Sequence, residues 1–215
     1  MIREITPQDA ADRICTIDQI PYDIEKLQKF YEKVKEHAVD YSSLRKRATK
    51  GLFKSIKVDD LEDGGSFLHY PEVAELVEKF NPITQPITHG NIAVTVYQPG
   101  FLFHPHIDFS RRSCIMFPIF PTDGGAMVDY YDNDILGEQP KVTSHGAGAG
   151  EHDEDYYLGS FRYSNTHANI MNVEKVHGVR NTGDVAAERV YLQISIYDDY
   201  QTCMDRMKPG EFLNI

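Results

Sequence analysis

The chain has 215 residues, enough to bury a full core, with one domain as the default reading. Lys and Arg number 22 against 33 Asp and Glu, a formal net charge of −11, which argues against bulk affinity for nucleic acid or an anionic membrane, since both rely on basic patches. No apolar run reaches the roughly 18 residues of a membrane span, the opening "MIREITPQDAADR" has no secretory h-region, and Cys15, Cys114 and Cys203, widely spaced and without a CxxC pair, read as small buried thiols of a reducing compartment, so a cytoplasmic location is expected.

In "YDIEKLQKFYEKVKEHAVDY", Ile24, Leu27, Phe30, Tyr31 and Val34 recur at three- and four-residue steps, which predicts a helix with one buried face. "GLFKSIKVDDLEDGGSF" reads as a loop with a short strand. "YPEVAELVEKFN" predicts a second helix, with Pro71 in its first turn and Val73, Leu76, Val77 and Phe80 on one stripe. From residue 87 the period changes to two. "ITHGNIAVTVYQPG" alternates Ile92, Val94 and Val96 with Ala93, Thr95 and Tyr97 and closes on Pro-Gly. "SCIMFPIFP" (113–121), "AMVDYY" (126–131), "ANIMNVEKV" (168–176) and "ERVYLQISIYDDY" (188–200) are further strand candidates, with Pro118 marking an edge position or a bulge. Residues 132–168 are rich in Gly, Asp, Asn and His and poor in aliphatics. They read as an insertion between strands that could serve as a lid, with short strand content near Tyr156–Tyr163. Helices first and strands after, with little βαβ alternation, make an α+β, mainly β, chain compatible with a jelly roll carrying helices on one outer face. Residues 1–85 then form a helical support region and 86–200 the core of a single domain spanning 1–215.

The chemistry concentrates in "YQPGFLFHPHIDFS" (97–110). His106 and Asp108 are two apart, so on an extended strand both side chains point to one face. Alone, the pair is as readily an ordinary hydrogen-bonded His–Asp, and His104 offers a competing HxH. Downstream, "NVEKVHGVRNTG" places His177 after an alternating run. Two histidines and one carboxylate suit one face of an octahedral Fe(II), leaving positions for a bidentate ligand and O₂. In "RVYLQISIY" the alternation sets Arg189, Tyr191 and Gln193 against Val190, Leu192, Ile194 and Ile196. If the aliphatic face lies beneath the helices, Arg189 points into the barrel, where it is costly unless a carboxylate meets it. Its planar fork suits the far end of a dicarboxylate. The same parity turns Tyr97 inward, as a ligand contact or as a packed core tyrosine. Arg111, Arg112 and Arg180 compete with Arg189, and Arg111 or Arg112 could instead contact substrate or close a salt bridge. His145, His152 and His167 read as solvated loop histidines rather than a second metal site, and "EHDED" (151–155) as a solvated surface.

Taken in order, Tyr97 and Gly100, His106 and Asp108, His177 with Val179 and Asn181, and Arg189 resemble the motif set of the 2-oxoglutarate/Fe(II)-dependent oxygenases over residues 90–200. The Tyr–x–x–Gly lead-in looks like the prolyl-hydroxylase branch, and "HGVRN" like the aspartyl/asparaginyl-hydroxylase branch. The resemblance implies a double-stranded β-helix, the cupin-like jelly roll, with N-terminal helices packed on its major sheet. It implies Fe(II) held by His106, Asp108 and His177, 2-oxoglutarate held by Arg189 with Tyr97, and O₂ as co-substrate. The implied reaction hydroxylates a C–H bond of an amino-acid, peptide or small-molecule substrate as 2-oxoglutarate becomes succinate and CO₂. The rival readings are a cupin-like metal protein, either an isomerase or a dioxygenase that uses no 2-oxoglutarate, and a non-catalytic binding module.

Overall fold

The computed structural model describes residues 3–41, 52–61, 65–80, 87–122, 126–138, 140–143, 146–149, 151–181 and 187–207. His145 therefore lies outside the described residues. Strand β1 (Ile14–Pro21) leads into helix α1 (Ile24–Val34), followed by strands β2 (Val39–Asp40) and β3 (Phe53–Ile56) and helix α2 (Pro71–Phe80). Next come β4 (Ile92–Tyr97), β5 (Phe101–Asp108), β6 (Ser113–Phe120), β7 (Met127–Tyr131), β8 (Lys141–Thr143) and β9 (Gly146–Gly148). The chain continues through β10 (Tyr157–Arg162), β11 (His167–Asn172), β12 (His177–Asn181), β13 (Arg189–Ile196) and helix α3 (Tyr200–Arg206). The strands form a seven-stranded sheet, β1-β11-β6-β13-β4-β3-β2, and a six-stranded sheet, β10-β7-β12-β5-β9-β8. The neighbouring strands in both pair antiparallel, and together they make a jelly roll.

Both long helices form where the periodicity predicts. Asp23 caps α1 by accepting from the Glu25 and Lys26 N–H groups, which would otherwise lack partners. Pro71 opens α2, where a missing N–H costs nothing. Their apolar stripes, among them Leu27, Phe30, Val73 and Leu76, share one core with Ile92, Val94, Val96, Val190, Leu192 and Ile194. Each such side chain stabilises the fold by about 1.5–3 kcal/mol when fully buried. The opposite face of the seven-stranded sheet carries Tyr97, Cys114, Met116 and Tyr191 into a second core with Phe101, Val128 and Val179 of the six-stranded sheet. Strand parity thus divides β4 and β13 as their alternation implied.

Some elements depart from the expected pattern. β1 was not anticipated, because Ile14, Ile17 and Ile20 recur every third residue. Its register shifts between Ile17 and Pro21, and this irregularity breaks the period of two. Of the two readings of Pro118, the bulge holds and the edge position does not: its strand is flanked by β11 and β13, and the register against β13 shifts beside it, between Val190 and Tyr191. β13 stops at Ile196 rather than running to residue 200, because Asp199 caps α3 by accepting from the Thr202 N–H.

Residues 132–168 hold a 3-10 turn at Asn133–Leu136, the β8–β9 pair, β10 and the start of β11. A small apolar cluster forms there from Tyr131, Tyr157 and Val176, with Ile107, Ile135 and Leu136 against it. Arg180 adds a polar anchor: its Nε donates to Asp129 Oδ2 at 2.6 Å, Nη1 lies 3.0 Å from His152 Nε2, and the guanidinium sits over the Tyr157 ring. Among the described residues, no helix is long and apolar enough to cross a membrane.

Candidate metal centre

His106 and His177 are cross-strand partners on β5 and β12, with ring centroids 4.3 Å apart. Asp108, two residues further along β5, brings Oδ1 to 3.7 Å from His106 Nε2. One ligand atom from each of the three residues lies within 4.8 Å of the others, and all three residues are buried. His106 Nδ1 is 2.8 Å from the His104 carbonyl, and His177 Nδ1 is 2.9 Å from that of Lys175. A carbonyl only accepts, so each ring carries its proton on Nδ1, and Nε2 is the nitrogen with the lone pair.

The local backbone makes this approach possible. The register shifts between His177 and Val179, opposite His106 and Phe103, so the "HPH" stretch carries a bulge. A Cβ on Gly178 would stand 2.9 Å from the Phe103 carbonyl oxygen, so glycine is required for β12 to pack there. Gly148 and Gly146 of β9 lie opposite His106 and Asp108. His104, the competing histidine, supplies its carbonyl and is not in the ligand group.

Burial opposes ionisation of Asp108, but the Arg111 guanidinium and the two imidazoles overcome it and hold the carboxyl well below its usual range. Burial lowers the pKa of His177, with Asp108 opposing. Two imidazole nitrogens and one ionised carboxylate oxygen, inward-facing and close together, are a donor set that fits iron(II) or another octahedral divalent ion. Of the competing arginines, Arg111 closes a salt bridge to Asp108, Arg112 pairs with Glu174 on the surface, and Arg180 pairs with Asp129.

A small chamber of about 30 Å³ adjoins the cluster, lined by both histidines, Arg111, Tyr97, Tyr163 and Tyr191 among others. Arg189 opens β13 opposite Tyr97, and its Nη1 donates to the Met127 carbonyl at 3.2 Å. The Tyr191 hydroxyl is buried and makes no hydrogen bond of ordinary geometry among the described residues. Burial raises its pKa, and the nearby Arg189 charge opposes the rise. Tyr97 stacks on Phe101 at 4.5 Å. The Asn181 amide nitrogen, within 3.2 Å of the Tyr97, Gln98 and Ala187 carbonyls, ties the end of β4 to the approach of β13. Gly100 turns the chain between β4 and β5 at φ 83°.

A larger cavity of about 280 Å³ begins at Asp108 and Arg111 and reaches Thr95, Gln193, Lys57 and Asp59. The Thr95 hydroxyl in its wall is buried and has no hydrogen-bond partner among the described residues. Lys57 Nζ lies 3.9 Å from the Tyr41 ring centroid. Strand parity could have marked Thr95 and Tyr191 as interior polar groups. Nothing local marks Lys57, which arrives through the pairing of β3 with β4.

Two antiparallel sheets rolled around a buried His–Asp–His cluster define a double-stranded β-helix, the cupin-like jelly roll. Comparison with solved structures gives the same fold. A prolyl hydroxylase from Trichoplax adhaerens, in complex with a hypoxia inducible factor oxygen degradation domain peptide fragment, matches with a TM-score of 0.53 and 14% identity, over 92% of this chain and 88% of that one. Looser matches are HygX from Streptomyces hygroscopicus with nickel and 2-oxoglutarate bound (TM-score 0.46, 8% identity, 91% and 88% covered) and a Pseudomonas putida prolyl-4-hydroxylase (0.41, 9%, 88% and 95%). No family model matches the sequence, and no curated protein does. The fold is thus the one that the sequence resemblance implied.

Proposed function

We propose that this protein is a 2-oxoglutarate- and Fe(II)-dependent dioxygenase that hydroxylates a C–H bond of an amino-acid, peptide or small-molecule substrate. The observation that carries the reading is the buried ligand group of His106, Asp108 and His177, beside a chamber lined by Tyr191, whose buried hydroxyl lies near Arg189. A peptide stands among the substrates because the similar Trichoplax enzyme was solved with one. The sparse, widely spaced cysteines favour a reducing, cytoplasmic setting.

His106 and His177 hold iron(II) through Nε2, and Asp108 through a carboxylate oxygen. When bound, iron with 2-oxoglutarate and O₂ supplies the oxidising power for hydroxylation, with succinate and CO₂ as by-products. Arg189 and the Tyr191 hydroxyl bind the distal carboxylate of 2-oxoglutarate, and Tyr97 borders it. Phe103, packed 4.0 Å from the His106 ring, and the aromatic interior exclude water from the reacting centre. The substrate enters through the larger cavity, which meets the cluster at Asp108.

The test is 2-oxoglutarate turnover. The iron-loaded protein should form succinate with O₂, if only by slow uncoupled turnover. Iron binding without 2-oxoglutarate binding or succinate would instead assign a cupin-like metal protein.

A further inference from the structure

Arg111 has no place in the ordered motif, yet its guanidinium is built into the cluster. Nε donates to Asp108 Oδ2 at 2.8 Å, and Nη2 lies 2.8 Å from that same oxygen. A fork-to-fork pair would occupy both carboxylate oxygens. Here both nitrogens meet Oδ2, and Oδ1 is left facing His106 Nε2 at 3.7 Å. The guanidinium is aimed from its far side, since Nη1 donates to Cys114 Sγ at 3.3 Å and to Ser195 Oγ at 3.4 Å, on β6 and β13. Its direction is therefore set by the seven-stranded sheet as well as by the turn that carries it. Only 17% of the side chain is exposed.

We propose that Arg111 is a positioning residue that keeps Asp108 a one-oxygen metal ligand. The proposal rests on His106, Asp108 and His177 being the ligands. It matters because a facial set must leave three positions open for a bidentate co-substrate and O₂, and a carboxylate bound through both oxygens would take one of them. By engaging Oδ2, Arg111 removes the competing donor and fixes the rotation of the carboxylate. Cys114 and Ser195 contribute by holding the guanidinium in place.

The test is a double-mutant cycle read by cobalt(II) titration, with the visible spectrum reporting coordination number. Arg111→Met should weaken cobalt binding about 10- to 100-fold, the usual cost of losing a group that orients a ligand. Arg111→Lys, which keeps the charge without the two-nitrogen grip, should fall between it and the wild type. In an Asp108→Ala background the Arg111 substitution should have no further effect, whereas a general structural role would add its loss there too. Circular dichroism of the metal-free variants checks folding, and Arg111→Lys carries the test if Arg111→Met does not fold. Wild-type affinity and spectrum in either folded variant, or full additivity in the cycle, overturns the proposal. Unchanged cobalt binding in Asp108→Ala and His177→Ala would instead sink the ligand assignment itself.

Discussion

Arg189 and Tyr191 share the inward face of β13, and in the proposed reading the two together would make a stronger carboxylate site than either alone. Arg189 donates to the Met127 carbonyl through Nη1 and lies beside the Tyr191 hydroxyl, and a guanidinium has five donors, so others remain for a ligand. Arg189→Ala should weaken 2-oxoglutarate binding by about 2–5 kcal/mol, or roughly 30- to 5,000-fold. Tyr191→Phe should cost less, about 1.5–3 kcal/mol, as expected for one hydrogen bond to a charged group. Iron affinity should stay unchanged in both. Anaerobic titration of the iron-loaded variants, following the metal-to-ligand charge-transfer band, measures each loss. Undiminished affinity in Arg189→Ala would remove the argument for 2-oxoglutarate. At this scale the sequence showed which residues could face inward but not which would pair. Arg111 stood among competing arginines because its partner, Asp108, is defined by the side-chain fork, which spacing along a strand does not describe. Tyr191 was placed inward by parity, but what its hydroxyl meets is a property of its neighbours.

At the level of elements, the six-stranded sheet relies on a polar anchor where His152, Glu154 and Tyr157 meet Arg180. Asp129 is buried and takes its hydrogen bonds from Arg180 and Ser160. Arg180→Ala would leave that carboxylate buried without its cation, at a cost of about 3 kcal/mol, the lower end for a broken buried pair because Arg180 is itself partly exposed. Urea denaturation should show the loss, and hydrogen exchange should rise first at Tyr156–Arg162. Equal protection of that stretch in wild type and variant would show that the apolar cluster alone holds it. The two long helices, β4 and β13 were legible because each obeys a single period from end to end. β1 was not, since its irregular register disguises the alternation, nor was the β8–β9 pair, whose glycines carry no hydrophobic pattern. Composition alone treated residues 132–168 as short of anchors, because it counts aliphatics and is blind to an arginine arriving from β12.

For the whole molecule, the cluster ties stability to pH and to metal. The pKa of His177 is lowered in the fold, so the unfolded chain takes up a proton near pH 6.5 that the folded chain refuses. Its contribution is full above that pH and is lost as pH falls towards the folded value. Asp108 is depressed too, so its contribution is present above about pH 3.9 and disappears as pH falls through its lower folded value. Both slopes have the same sign: the urea midpoint of the metal-free protein should drop between pH 7 and pH 5, and the His177→Gln variant should show a shallower drop. Metal acts in the opposite direction. Manganese(II) at a hundredfold its dissociation constant adds about 2.7 kcal/mol, which raises the melting temperature by about 5–11 °C for a domain of this size. A scan with no shift, at a concentration where titration shows saturation, would mean that the unfolded chain binds the ion equally well. The carbonyls of His104 and Lys175 carry a further consequence. Each sits two residues upstream of the imidazole it orients, so the cradle takes its shape from the backbone before any ion arrives. A preformed template of this kind loads without refolding and exchanges one divalent ion for another by ligand preference alone. In the proposed reading, nickel(II) and cobalt(II) out-compete manganese(II) and iron(II) in the test tube, and the identity of the resident metal is decided by supply rather than by selection at the site.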